Sequence, residues 1–200
     1  VHALGEWVLR RACADAAAWP ENVRIAVNAS SLQIAQGDFV DVLEHAIQEA
    51  GLPAKRLVIE ITESALLQHD DANINVLHRL HALGALIALD DFGTGYSSLS
   101  YLKIFPFDKV KIDKSFVDDV VSHAGCAAII AATTMLARSF AIRTVAEGVE
   151  TREQYDALRA AGVELIQGYY FARPAPCSAW RVVDGRIVLP GDAGATARAA

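Results

Sequence analysis

The sequence is poor in several residue types and patterns, and each shortage narrows what the chain can be. Its three cysteines, at positions 13, 126 and 177, form no Cys-x-x-Cys pair, which argues against a disulfide framework and a structural zinc site. The longest largely apolar stretch, Cys126 to Ala137, is shorter than the roughly 20 residues of a membrane span. No basic segment followed by an apolar one opens the chain, so we predict no signal peptide and a cytoplasmic domain with reduced thiols.

The charge balance and the apolar content set two further limits. A net charge of −6 lacks the basic surplus of general nucleic-acid binders, so we predict that the chain binds no DNA or RNA polymer. Apolar residues make up 53% of the 200 residues, which is enough for a folded core. This length lies at the lower edge of the 200 to 250 residues, roughly, of a complete eight-stranded β/α barrel.

Runs with strand character alternate with amphipathic runs along the chain. The predicted strands are Arg24–Asn28, Leu57–Thr62, Leu86–Leu89, Lys109–Ile112, Arg143–Ala146 and Leu165–Phe171, and the predicted helices are Leu4–Trp19, Asp38–Gly51, Asp71–Leu83, Gly125–Phe140 and Thr151–Gly162. Such alternation predicts a parallel sheet with helices outside it, either open and doubly wound or closed into a barrel. No G-x-G-x-x-G motif follows a strand, so a dinucleotide-binding open sheet lacks its best marker.

Polar residues collect where the predicted strands end, and this favours the barrel. The positions are Asn28, Glu60, Glu63, Asp90, Asp91, Lys111, Asp113, Glu147, Glu150 and Gln167. In a β/α barrel the functional site is built from strand ends and the loops after them, at the C-terminal face. A closed barrel would therefore bring these residues around one mouth, whereas an open sheet would spread them along a line.

The residue types at this mouth indicate a metal-dependent site. Carboxylates with the amide oxygen of Asn28 form a hard-oxygen set that suits Mg²⁺, Mn²⁺ or Ca²⁺. The adjacent Asp90 and Asp91 can serve two metals, the standard device for phosphodiester cleavage. Lys111 can orient or help deprotonate an attacking water. Taken singly, an acidic residue at a strand end is more often a helix cap or a solvated loop residue, so the prediction depends on their coincidence.

Six short segments of the chain form a distinctive set of motifs. They are residues 90–99 (DDFGTGYSSL), 60–63 (EITE), 111–116 (KIDKSF), 147–150 (EGVE) and 167–171 (QGYYF), with Asn28 in a Val-Asn-x-Ser context. Together they closely resemble the motifs of EAL domains, the bacterial cyclic di-GMP phosphodiesterases. They occur in the family's order and spacing from about Leu4 to Pro174. The resemblance implies a modified TIM-type (β/α)8 barrel, of which about six strands are present in this chain. We place this domain at residues 1–177, followed by a partly disordered extension at 178–200.

The resemblance also implies a reaction and a set of roles. The complete domain would hydrolyse cyclic di-GMP to linear pGpG with two Mg²⁺ or Mn²⁺ ions, and Ca²⁺ is expected to inhibit. Asn28, Glu60 and Asp90 would bind the first metal, and Asp90, Asp91 and Glu147 the second. Lys111 would position or deprotonate the water, and Gln167 would contact the same water network. Glu63 would anchor the loop from Asp91 to Ser98, which also contributes to homodimer contacts in the family, with Asp113 and Glu150 as further candidates.

One departure from the family pattern bears on activity. The sequence contains no Glu-Ala-Leu, the motif whose glutamate is a metal ligand in the family, so we expect the 200 residues alone to be weakly active or inactive. Two other functions stay open, a catalytically inactive cyclic di-GMP receptor or interaction module and a different metal-dependent barrel hydrolase. We further expect the parent protein to carry sensory or diguanylate-cyclase domains. Membrane attachment of the parent protein stays open.

Overall fold

Strands and helices alternate as the sequence predicts. A computed structural model describes residues 2–66, 71–93, 102–183 and 186–188. The strands are β1 Ile25–Asn28, β2 Leu57–Thr62, β3 Leu86–Phe92, β4 Lys109–Ile112, β5 Arg143–Ala146, β6 Leu165–Ile166, β7 Arg181–Val183 and β8 Arg186–Val188. The α-helices given labels here are α1 His2–Ala17, α2 Ser31–Ile34, α3 Phe39–Ala50, α4 Glu63–Leu66, α5 Asp71–Ala82, α6 Lys114–Asp118, α7 Ala124–Ser139 and α8 Arg152–Ala160.

The first six strands form one parallel sheet in chain order. The sheet is curled, because Glu60 of β2 and Glu147 after β5 both contact Lys111 of β4. Within the described residues β1 and β6 do not pair with each other, so the six strands make a half barrel with helices outside it. This confirms the predicted partial barrel.

Local sequence signals set several helix boundaries. Helix α3 ends at Gly51, whose left-handed φ of 61° few other residues adopt without strain. Helix α8 begins at Thr151, which forms a capping box with Gln154, as the Thr-x-x-Gln spacing predicts. Helix α2 begins with a second capping box, between Ser30 and Gln33, which the sequence analysis missed because the helix is only one turn long.

Two apolar clusters hold the helices on the outer face of the sheet. The larger cluster joins α1, α3 and α5 to the first four strands and includes Leu9, Leu43 and Leu77. The smaller one joins α6, α7 and α8 to β4 and β5. With their outer face packed in this way, the strands direct alternate side chains to the inner face of the half barrel.

Two predicted strands differ clearly in length from the observed ones. The strand predicted over Leu86–Leu89 continues to Phe92, so it includes Asp90 and Asp91. The strand predicted over Leu165–Phe171 ends at Ile166, because Gly168 and Tyr170 turn to pack on the Val149 backbone. For Arg181–Leu189 the sequence leaves a helical turn and a peripheral strand open, and in the structure β7 and β8 pair in antiparallel orientation, so the strand is the one observed. Ser97 and Ser98 are each suited by sequence to cap a short helical turn, and the Gly- and Ala-rich tail from Gly191 is predicted to be disordered. Both segments lie outside the described residues.

No helix among the described residues combines the length and the apolar content that crossing a membrane requires. The proposed boundary between a domain at 1–177 and an extension at 178–200 stays a prediction. The extension contacts the segment that follows α1, since the rings of Trp19 and Trp180 lie 5.4 Å apart.

Candidate active site

A buried lysine stands at the centre of the inner face of the half barrel. The side chain of Lys111 is 6% exposed, and its Nζ lies 2.6 Å from Glu60 Oε2, 2.9 Å from Asp90 Oδ2 and 2.7 Å from Glu147 Oε1. We call these four residues the Lys111 cluster. They come from β2, β3, β4 and the residue after β5, so four successive strands meet at one ammonium group.

Side-chain alternation explains why these residues meet. On β2, Ile59 and Ile61 are fully buried in the apolar cluster beneath the helices, so the intervening Glu60 points to the opposite, inner face. On β4 the same alternation buries Val110 and Ile112 and leaves Lys111 on the inner face. Each carboxylate then accepts a hydrogen bond from the lysine, which offsets the cost of taking four charges out of water.

The charges of the cluster act on one another strongly. Burial alone would lower the pKa of Lys111, but its hydrogen bonds to Glu147, Glu60 and Asp90 outweigh burial and raise it. Burial raises the pKa of Glu147, and the hydrogen bond from Lys111 opposes this only in part. The negative charges of Asp90 and Glu60 raise the pKa of Glu147 further, as expected for a site with more negative than positive charge.

Asp91 is held beside the cluster in an unusual backbone conformation. Its φ is +55°, a value that costs most non-glycine residues energy. Its backbone N–H donates to Asp90 Oδ1 at 3.0 Å, and the register of β3 against β4 shifts between Leu89 and Phe92. Burial, followed by the charges of Asp90 and Asp113, raises the pKa of Asp91. The positive φ and the shift in register together show that the regular strand geometry of β3 is interrupted at the two consecutive aspartates.

The backbones of Asn28 and Gln167 pair with segments that carry residues of the cluster. Asn28 ends β1 and is the register partner of Glu60 on the neighbouring strand. Its side chain is exposed. The backbone N–H of Gln167 donates to the carbonyl of Ala146 at 2.9 Å, which places Gln167 beside the residue that precedes Glu147. The described contacts include no side-chain hydrogen bond from Asn28 or Gln167 to the cluster.

Three other predicted site residues have different surroundings. Asp113 caps α6, since its carboxylate accepts a hydrogen bond from the Ser115 backbone N–H. Glu150 is exposed and pairs with Lys114 at 2.7 Å. Glu63 is 2% exposed, and neither of its carboxylate oxygens has a hydrogen-bond partner among the described residues. None of the three contacts Lys111 within the described residues.

The donor set fits a hard divalent cation in chemistry and in charge. With all groups ionised, the cluster has three carboxylates against one ammonium, and carboxylate oxygens are the ligands that Mg²⁺ and Mn²⁺ prefer. In the described part of the chain, however, no three His, Cys, Asp or Glu side chains are arranged so that they could hold one metal ion. The carboxylates are bonded to Lys111 instead, so the structure supports the donor chemistry but does not display a metal centre.

The sequence analysis missed the contacts made by Lys114 and Phe116. Lys114 packs against Gly148 and pairs with Glu150, and Phe116 packs against Gly93. The motifs KIDKSF and EGVE contain these residues, but nothing in their spacing shows that the two segments touch. The positive φ of Gly93 and Gly148, 97° and 69°, identifies both positions as turns only once the backbone is known.

Comparison with known proteins identifies what this arrangement resembles. The model of the EAL domain family matches residues 1–174. The cyclic di-GMP phosphodiesterase NbdA of Pseudomonas aeruginosa is 43% identical over 180 residues, which are 88% of this chain and 23% of NbdA. The chain spans 21% to 23% of the length of the first three curated relatives, so it corresponds to one part of those proteins.

Two solved structures have the same fold. The PaMucR phosphodiesterase in complex with c-di-GMP superposes with a TM-score of 0.84 at 39% identity, covering 88% of this chain and 73% of that one. Klebsiella pneumoniae BlrP1, solved as a manganese and cyclic di-GMP complex, gives a TM-score of 0.81 at 34% identity, covering 86% of this chain and 45% of that one. At these identities the likeness extends beyond the fold to the family.

Proposed function

Because this chain belongs to the EAL domain family, we propose that it is the part of a cyclic di-GMP phosphodiesterase that holds most of the catalytic site. The observation that supports this is the Lys111 cluster, in which three carboxylates from successive strand ends surround one buried ammonium. The product is linear pGpG, formed by cleavage of one phosphodiester bond with water. NbdA and PaMucR are described as phosphodiesterases, and this supports the assignment of the same reaction class here.

In this proposal Asn28, Glu60 and Asp90 hold one Mg²⁺ or Mn²⁺ ion, and Asp90, Asp91 and Glu147 hold a second. When bound, these ions supply Lewis-acid catalysis and neutralise charge on the phosphate. The BlrP1 complexes with calcium and with manganese support a divalent cation, and we expect Ca²⁺ to bind without supporting turnover.

The remaining roles belong to side chains that touch or support the reacting groups. Lys111 donates to three carboxylates, so we assign it the task of orienting the attacking water, with its proton retained at Nζ. Gln167, beside the same strand end, contacts that water. Glu63 anchors the loop that begins at Asp91, and Asp113 and Glu150 support neighbouring turns. Catalysis in this scheme comes mainly from position and electrostatics.

The test is hydrolysis of cyclic di-GMP followed by chromatography, with the 200-residue chain and with a form extended upstream. We expect pGpG to form when Mg²⁺ or Mn²⁺ is present and to disappear when the metal is chelated, with lower turnover by the shorter chain. A Glu147→Gln variant should lose activity by about 100-fold or more. The control Glu164→Gln, at an exposed position directly before β6, should retain activity. Absence of pGpG with both metals in the extended form would refute the proposal.

A second function, binding of cyclic di-GMP without hydrolysis, is favoured by one observation. The carboxylates of the cluster are already paired with Lys111, and the described residues present no three-ligand metal group. Titration calorimetry combined with product analysis separates the two functions. Tight binding with unchanged nucleotide after prolonged incubation with metal would support a receptor.

The wider context is also proposed. The parent protein carries further domains, which we expect to be sensory or diguanylate-cyclase modules, since MucR is described as bifunctional and DosP as an oxygen sensor. We propose a cytoplasmic location for this domain and a homodimer formed through the region of the Asp91–Ser98 loop. Analytical ultracentrifugation of the parent protein, with and without substitutions in that loop, tests the dimer.

A further inference from the structure

The turn at residues 113–116, which we call the β4 turn, lies between the loops that carry the proposed metal ligands. It follows β4 directly, two residues after Lys111. The Asp113 carboxylate accepts hydrogen bonds from the backbone N–H and the hydroxyl of Ser115, and this caps α6 and fixes the turn. A rigid turn at this place determines where the side chains of Lys114 and Phe116 lie.

Lys114 links the β4 turn to the loop after β5. Its Nζ lies 2.7 Å from Glu150 Oε1, and its methylene groups cover Gly148, where an added Cβ would be 2.5 Å from Lys114 Cγ. The pair with Glu150 is half-exposed, so its charge interaction contributes little. The packing of the methylene stem on Gly148 is the more important contact, and Gly148 directly follows Glu147.

Phe116 links the same turn to the loop after β3. Its ring is half-buried in the smaller apolar cluster, and a Cβ added at Gly93 would be 3.1 Å from Phe116 Cε2. Gly93 follows Asp91 by two residues and has a φ of 97°. The ring therefore supports the first described residues of the loop that begins at the adjacent aspartates.

The loop after β5 is in turn fixed to the segment after β6. The Val149 backbone N–H donates to the carbonyl of Gln167 at 3.1 Å, and the Tyr170 N–H donates to the carbonyl of Val149 at 2.8 Å. Gly168 approaches this backbone so closely that a Cβ would be 2.1 Å from the Val149 oxygen. The β4 turn thus connects, directly or through this backbone, with the segments that carry Asp91, Glu147 and Gln167.

We propose that the β4 turn is a positioning element of the active site, in which Lys114 holds the Glu147–Glu150 loop through its methylene stem and Phe116 holds the Asp91–Gly93 segment through its ring. The inference rests on the proposed function. Neither residue touches the Lys111 cluster within the described residues, so both act through Gly148 and Gly93. The stem of Lys114, rather than its charge, carries the effect.

Hydrogen exchange measured by mass spectrometry, without metal or substrate, tests the arrangement directly. Lys114→Ala removes the stem and should speed exchange of the backbone amides at 147–150 by about fivefold or more. Lys114→Met keeps an unbranched stem without the charge and should stay close to wild type. The control is Lys55→Met, an exposed lysine before β2 at the opposite end of the strands, and it should leave exchange at 147–150 unchanged. Phe116→Ala should instead speed exchange at 91–93.

A double variant sharpens the test. Gly148→Ala should loosen the loop because its methyl group meets the Lys114 stem and because alanine is strained at a φ of 69°. In combination with Lys114→Ala its effect should be smaller than in wild type, since the contacts with Cγ and Cδ of Lys114 are then removed and only the backbone strain and the contact with Cβ remain. In metal-loaded protein that turns over cyclic di-GMP, Lys114→Ala should lower kcat while KM changes by less than about twofold. Unchanged exchange at 147–150 in Lys114→Ala, or equal effects of the Ala and Met variants, would overturn the proposal. Because exchange needs no turnover, a failure of the proposed function would not hide this result.

Discussion

Replacement of Lys111 by methionine tests whether its ammonium group holds the three carboxylates together. Methionine keeps the unbranched stem as far as Cε but removes the ammonium group, and with it the charge and all three hydrogen bonds to Glu60, Asp90 and Glu147. The carboxylates would then face one another in a site from which water is largely excluded, since the Lys111 side chain is 6% exposed. We expect a large loss of stability in the metal-free protein.

The size of the loss follows from the geometry. Each of the three oxygens lies within 2.9 Å of the same nitrogen, so no two are farther apart than about 6 Å, and unit charges at that distance repel by about 3 kcal/mol at an effective dielectric constant near 20. Movement of the side chains and uptake of protons relieve part of this repulsion. Loss of one partner from a buried ion pair typically costs about 3 to 5 kcal/mol, and we expect a value in that range.

Guanidinium denaturation followed by circular dichroism at pH 7 measures this change in the free energy of unfolding. The double variant Lys111→Met, Glu147→Gln removes one of the three negative charges and two of the three repulsive pairs, so it should recover about 2 kcal/mol or more relative to Lys111→Met. Lys55→Met serves as the exposed control. A loss below about 1 kcal/mol for Lys111→Met, or no recovery in the double variant, would show that the cluster is not held by the lysine charge.

Three further predictions concern the core and the thiols. Burial raises the pKa of Cys13 to about 11, so iodoacetamide at pH 8 should label the exposed Cys177 first and Cys13 only on unfolding, which peptide mass spectrometry checks. The stabilisation from the neutral Cys13 thiol, complete below its unfolded pKa, should be lost as pH rises through about 11, and unfolding midpoints at alkaline pH check this. Arg56→Met removes hydrogen bonds from a buried guanidinium to three backbone carbonyls and should cost about 2 to 4 kcal/mol in denaturant unfolding. Leu43→Ala, at a fully buried position, should cost about 2 to 5 kcal/mol, whereas Leu32→Ala at an exposed one should change stability by about 0.5 kcal/mol or less; equal effects would contradict the assigned core.

The sequence predicts the half barrel well where a strand has both a run of apolar residues and an alternation of its two faces. Leu57–Thr62 and Lys109–Ile112 are apolar on the face that packs under the helices, and their other face carries Glu60 and Lys111; both strands have the bounds that the sequence predicts. The predicted strand boundaries are wrong where tertiary contacts determine the end of a strand. The residues after Ile166 have strand propensity, but the close approach of Gly168 to Val149 takes them out of the sheet, and no local pattern encodes that contact.

The residues of the candidate site likewise fall into those that the strand pattern predicts and those that it does not. Alternation on a strand fixes the direction of Glu60 and Lys111, so their meeting is predictable once the strands are known to be parallel and curled around one inner face. For residues just beyond a strand end the sequence is ambiguous, because an aspartate there serves equally well as a ligand or as a helix cap. Asp113 was a candidate by position, and the structure shows it capping α6.

Asp113 also shows why a capping role and a role in the site are not alternatives. Its charge raises the pKa of Asp91, and the turn that it caps carries the two side chains that pack on Gly93 and Gly148. Asparagine at position 113 would keep the capping hydrogen bond and remove the charge, whereas alanine would remove both. If Asp113→Asn preserves exchange protection at 147–150 and Asp113→Ala does not, the carboxylate acts through the turn; if both variants lose protection equally, the negative charge itself is what the neighbouring loops require.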